Sequence, residues 1–114
     1  MKKMMIWRIV MTILRGTKDN FFSLIKEGIT LAYFSNPQTE ECQTTRANLE
    51  SIEKNIKKDI KFVEINVNEE KKVVDKFPVD IFPTLILFKN GKILKSKIGG
   101  QPRSQLTQFI SPFN

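Results

Sequence analysis

The chain has 114 residues, 40% hydrophobic and 27% charged, enough for one domain around a single core and too few for two. With no histidine and one cysteine, Cys42, it can build no Ser-His-Asp or Cys-His nucleophile, no imidazole metal site, no internal disulfide and no dithiol–disulfide cycle within one chain. The net charge of +7 rests on lysines scattered along the chain, without a basic helix or an aromatic-interleaved strand motif, so it reads as a solvated surface and no nucleic-acid partner is expected.

Lys2 and Lys3 precede an apolar run, Met4 to Leu14 (MMIWRIVMTIL). That layout resembles a signal peptide, but Arg8 interrupts the run and no small-x-small site follows. The run is also too short to cross a bilayer as a helix. A first strand is expected near Val10 to Arg15, in a domain of residues 10–114 preceded by an extension of residues 1–9. The expected location is cytoplasmic; a signal or anchor at the N-terminus is the alternative.

Lys18 to Lys26 (KDNFFSLIK) suits a short helix stopped by Glu27-Gly28. Ile29 to Phe34 (ITLAYF) is a nearly continuous apolar run, as expected of a strand covered on both faces. Ser35 to Glu41 is turn chemistry. Cys42, Thr45, Leu49, Ile52 and Ile56 then recur at steps of three and four, one face of a helix. Thr39, or Asn36 before Pro37, can cap its start, and Glu40 and Glu41 suit the positive end of its dipole. Ile60 to Val67 is a strand, Glu69 to Phe77 a short helix closed by Pro78, and Thr84 to Lys89 a strongly apolar strand. Asn90-Gly91 is a type I′ hairpin signal, so Lys92 to Ile98 returns antiparallel. Gly99-Gly100 breaks that strand, and Arg103 to Ile110 forms a last amphipathic helix. The order β-α-β-α-β-α-β-β-α predicts an α/β fold, a central mixed sheet with helices on both faces.

These residues resemble the thioredoxin family. Phe82 to Gly91 (FPTLILFKNG) is similar to its cis-proline segment running into the hairpin of its fourth and fifth strands, and Gly99 matches the glycine kept after the fifth. From Ile29 onward a typical thioredoxin aligns without a gap, and its C-x-x-C falls on Thr39-Glu40-Glu41-Cys42. The resemblance implies a thioredoxin-like fold, a cis bond before Pro83, and a groove between Ser35–Cys42 and Phe82–Thr84. In the family this segment offers backbone groups to an extended peptide, which points to Phe82, Pro83, Thr84 and Gly99 as binding residues.

The departures cluster at the reactive end. Thr39 stands where the family has its attacking cysteine, and Cys42 holds the resolving, usually recessed position. The tryptophan before the motif falls on Gln38, the Gly-Pro pair on Glu40-Glu41, the buried acid and lysine behind the motif on Tyr33 and Glu64, and the kinking proline on Ala47. A disulfide reductase needs two thiols, because one thiol leaves a mixed disulfide stranded. The first reading is therefore a degenerate member of the family, tied to redox homeostasis by kinship, that binds a protein or extended peptide without dithiol turnover.

The alternative is a monothiol oxidoreductase with Cys42 as nucleophile. It has glutathione as its co-substrate, or a second chain, to resolve the mixed disulfide. The helix N-terminus, Arg46 at i+4 and a Thr39 hydroxyl donating to the sulfur favour a thiolate; Glu40 and Glu41 oppose it. T-x-x-C also resembles the peroxiredoxin motif, but the proline, Pro37, lies at the wrong spacing. Beside these stand plainer expectations: Cys42 as a small buried hydrophobe, Thr39 as an N-cap, Tyr33 as a core residue with a satisfied hydroxyl. Glu64 is expected as a solvent-reaching carboxylate at a sheet edge rather than a buried one behind Cys42. No cofactor or metal is expected, and the chain is expected to be a monomer or weak dimer.

Overall fold

The computed structural model describes residues 13–57 and 59–113. In chain order the elements are β1 (Leu14–Arg15), α1 (Phe21–Ile25), β2 (Ile29–Ser35), α2 (Glu40–Glu53), β3 (Ile60–Asn66), α3 (Lys71–Val74), β4 (Thr84–Lys89), β5 (Lys92–Ile98) and α4 (Arg103–Ile110), ending in a 3-10 turn, Ser111–Phe113. The five strands form one sheet in the order β1-β3-β2-β4-β5. β2 runs parallel to β3 and antiparallel to β4, β1 parallels β3, and β5 returns antiparallel on β4.

β2 is buried along nearly its whole length because it is central and covered twice. Alternate side chains feed two cores. Leu31, Tyr33, Leu85 and Leu87 pack under α2 and α4 with Leu49, Ile52, Leu106 and Phe109. Ala32, Phe34, Ile86 and Phe88 pack on the opposite face under α1 and α3 with Phe21, Ile25, Val73 and Val74. There Phe21, Phe34, Phe77 and Phe88 meet edge-to-face with centroids 5.6 to 6.2 Å apart.

The expected order of elements is observed, and the boundaries shift where local hydrogen bonds compete with helix. Lys18 to Asn20 is a turn, because Thr17 Oγ1 accepts from the Asp19 and Asn20 N–H groups and Asn20 Oδ1 accepts from the Thr17 N–H. α2 ends at Glu53, and Ile56, three residues on, is held by an i→i−3 bond to Glu53. α3 is shorter than the span 69–77, since Lys76 and Phe77 also bond three residues back ahead of Pro78. The hairpin matches its signal, with Asn90 at φ 51 and Gly91 at φ 85. Residues 10–12 of the expected first strand, and the extension before it, lie outside the described residues. Among the described residues no helix is long and apolar enough to cross a membrane.

Candidate functional site

The loop from β2 and the start of α2 meet the start of β4 at one end of the sheet. Phe34 pairs with Thr84, so Ser35, where the loop begins, and Pro83 lie next to one another's strands. Thr39 is the N-cap of α2: its Oγ1 accepts from the Cys42 N–H at 3.3 Å, and the hydroxyl donates to the Asn36 carbonyl at 3.0 Å. The expected donation from Thr39 to the sulfur is therefore absent, because the single hydroxyl proton is taken by Asn36. The Cys42 sulfur points inward, with the residue 1% exposed, and accepts instead from the Asn36 N–H at 3.4 Å. The sequence offers Asn36 only as a cap; its place one step past the strand is what puts its N–H on the sulfur.

Behind the motif, the Tyr33 hydroxyl donates to the Cys42 carbonyl, and burial, followed by the nearby Cys42, pushes the phenol well above its usual pKa. Tyr33 is thus a core residue with a satisfied hydroxyl. Glu64 differs from its expected place. β3 lies inside the sheet between β1 and β2, so Glu64 is not at an edge. Its side chain, 18% exposed, pairs with the Arg46 guanidinium and accepts from Ser35 Oγ at 3.0 Å. Arg46 also reaches Glu50 at 3.7 Å. Its charge is therefore committed to two carboxylates, which corrects the expectation that it supports a thiolate on Cys42. Tyr33, Cys42, Arg46 and Glu64 line one cleft of about 460 Å³ with Pro37 and Gln43.

Glu40 and Glu41 are exposed in the first turn of α2. Glu41 Oε1 accepts from the Gly100 N–H at 3.1 Å, so this carboxylate is turned to the β5–α4 turn and away from the inward sulfur. A Cβ on Gly100 would stand 2.6 Å from Glu41 Cγ. Nothing in the sequence marks Gly100 as a site residue; the Gly-Gly pair signals only a strand end.

On the strand side the Phe82–Pro83 peptide bond is cis. The Pro83 carbonyl accepts from the Gly99 N–H at 2.7 Å, and Thr84 Oγ1 donates to the Ile81 carbonyl at 2.5 Å. Phe82 is half-buried, and among the described residues nothing bonds to its N–H or its carbonyl.

The family model described as Thioredoxin matches residues 12–112. The chain belongs to the thioredoxin family. The thioredoxin of Bacillus subtilis is 28% identical over 101 residues, covering 89% of this chain and 97% of that one. The thioredoxin of Staphylococcus saprophyticus is 29% identical over 100 residues, covering 88% and 96%. Among solved structures, a mutant thioredoxin from Halobacterium salinarum NRC-1 has the same fold, with a TM-score of 0.78 over 89% of each chain at 21% identity. In thioredoxin register, Thr39 and Cys42 share the first turn of α2, Thr39 outward and Cys42 inward. The positions matched to the family's buried acid and lysine, Tyr33 and Glu64, are cross-strand neighbours beside that turn.

Proposed function

We propose that this thioredoxin-family chain is a binding module that grips an extended segment of a partner protein between Ser35–Cys42 and Phe82–Thr84 and performs no dithiol turnover. The observation that carries this reading is the open Phe82 backbone beside the cis bond, an N–H and a carbonyl left for a chain from outside. Pro83 and Gly99 are bonded to each other and brace that segment. The lack of turnover follows from stoichiometry. A thiolate that attacks a disulfide is left in a mixed disulfide, and a second thiol must expel it. The position for the attacking thiol is Thr39, and Cys42 is enclosed. A cytoplasmic setting, a monomeric or weakly dimeric state and a role in redox homeostasis belong to the same proposal.

The test is alkylation of Cys42 against pH. Iodoacetamide should label the folded chain at least about a hundredfold slower than a free model thiol at pH 7, with labelling tracking unfolding by urea. Cys42→Ala should leave binding of a library-selected peptide intact, with the Phe82 amide protected from exchange in the complex. Fast labelling that persists to low pH, with thiol transfer to glutathione lost in Cys42→Ser, would establish the monothiol oxidoreductase instead.

A further inference from the structure

β5 closes one side of the sheet and is its exposed edge. Edge strands usually carry charge and little exposed apolar surface. β5 carries both, sorted by face. In the register with β4, Lys97 stands opposite Leu85 and Lys95 opposite Leu87, which puts both lysines on the α2–α4 face. Ile98 stands opposite Thr84, Ser96 opposite Ile86 and Ile93 opposite Phe88, on the other face. Ile98 is 59% and Ile93 49% exposed.

The lysines hold no carboxylate. Lys95 Nζ lies over the Phe109 ring at 4.5 Å, Lys97 Nζ donates to Gln105 Oε1 at 3.4 Å, and among the described residues neither they nor Lys92 pairs with an acid. The backbone is open as well. Gly99 donates inward to Pro83, so by strand alternation the N–H and carbonyl of Ser96 and Ile98 point away from β4, to the free edge; the Ile98 carbonyl accepts there from Gln101 Nε2 at 3.2 Å, which leaves the Ser96 N–H and carbonyl and the Ile98 N–H open.

We propose that the β5 edge adds a strand from an acidic partner protein, an extended segment that alternates Asp or Glu on the α4 side with aliphatic residues on the other. The edge offers donors and acceptors in turn, which a peptide backbone satisfies and a phosphate backbone, an acceptor only, does not. Pairing of β5 with a second copy about a two-fold axis sets Lys95 against Lys95 or Lys97, and like charges directly opposite repel. Facing acids join Lys95 and Lys97, while an aliphatic side chain covers Ile98; Ile93 lies beyond the register shift between Leu87 and Phe88 and is out of phase with that alternation. This edge is separate from the Phe82 backbone, and the two are read by different amides.

The experiment uses a labelled synthetic peptide as long as β5 that alternates valine and glutamate, titrated into the whole chain and followed by anisotropy and amide exchange. Binding is expected to protect the Ser96 and Ile98 amides and to weaken with salt. It should fall about tenfold in the charge-reversal variant Lys92→Glu/Lys97→Glu. A peptide N-methylated at alternate residues, tested on the unaltered chain, should lose binding because it cannot complete the ladder. Equal binding of the N-methylated peptide, protection at Phe82 in place of β5, or β5 protected in a dimer without peptide would each overturn the proposal.

Discussion

On the β4 side of the site, backbone groups are left open; on the α2 side, side chains close on one another. Phe82 keeps both its polar backbone groups unbonded among the described residues, while Gly99 holds the Pro83 carbonyl next to it. Across the groove, Thr39 donates to Asn36, Asn36 to the Cys42 sulfur, Tyr33 to the Cys42 carbonyl, and Arg46 binds Glu64 and Glu50. An open backbone residue just ahead of β4 lies beside a helix turn in which Thr39, Asn36, Tyr33 and Arg46 already have partners. On the function proposed above, that contrast is what would separate gripping a chain from reacting with it, and each half can be tested alone.

The largest expected change is a gain. Thr39→Cys places a second sulfur at the outward position of the turn whose inward position is Cys42. The variant should form a disulfide on oxidation and reduce a protein disulfide at least about tenfold above the unaltered chain, because the mixed disulfide can now be resolved. Activity in this variant would mean that one residue separates the two halves. A folded variant without it would mean that Glu40, Glu41 and the Arg46–Glu64 pair close the helix side independently.

Arg46→Met strips the partner from Glu64, whose remaining bond is to Ser35. An uncompensated carboxylate at 18% exposure is costly, but the 40% exposure of Arg46 shows that water reaches the pair. The expected loss is about 2 kcal/mol, below the full cost of breaking a buried pair. Arg46→Met/Glu64→Gln should recover most of it, which urea midpoints of the variants would read.

The β4 half is legible in the sequence and much of the α2 half is not. FPTLILFKNG carries its geometry in residue types: proline fixes φ, Asn-Gly needs positive φ, and an unbroken apolar run demands burial on both faces. These are local constraints. Whether Arg46 faces Cys42 or Glu64 depends on β3, which joins the site from a separate stretch of chain, and spacing along α2 does not encode it. The sequence misplaces Glu64 for a related reason: alternation along β3 gives a face, but only the pairing with β1 shows that β3 is internal. The inward Cys42 is readable from its helical period, since it repeats with Thr45, Leu49 and Ile52.

Tyr33→Phe removes the hydroxyl that donates to the Cys42 carbonyl and should cost about 1 kcal/mol. It should also change the response to alkali. The unfolded phenol titrates near 10.0, and burial raises the folded value above that. Above pH 10 the unfolded chain therefore holds fewer protons than the folded one, and stability falls as pH rises. The loss attributable to Tyr33 should vanish in Tyr33→Phe, after subtraction of the lysine contribution common to both. Tyr33 is the only tyrosine, so phenolate absorbance in the parent should appear with unfolding and not before it.

The smallest effects distinguish two adjacent glycines that link the halves. Gly99 has φ +88 and nothing within 4 Å of where a Cβ would stand, so Gly99→Ala is penalised by backbone conformation alone, about 1 kcal/mol. Gly100 has no such dihedral constraint, but its added Cβ would stand 2.6 Å from Glu41 Cγ. Glu41 is exposed and flexible, so in Gly100→Ala it should swing aside and give up its bond to the Gly100 N–H, for less than about 0.5 kcal/mol. The two variants then differ in what they disturb. Gly99→Ala strains the bond that braces Pro83 and should speed exchange of the Gly99 amide; Gly100→Ala should speed exchange at Gly100 and leave the Pro83 brace intact. If Gly100→Ala instead proves the more costly, Glu41 is held more firmly than an exposed carboxylate should be, and the contrast between a closed helix side and an open strand side extends to the turn that joins them.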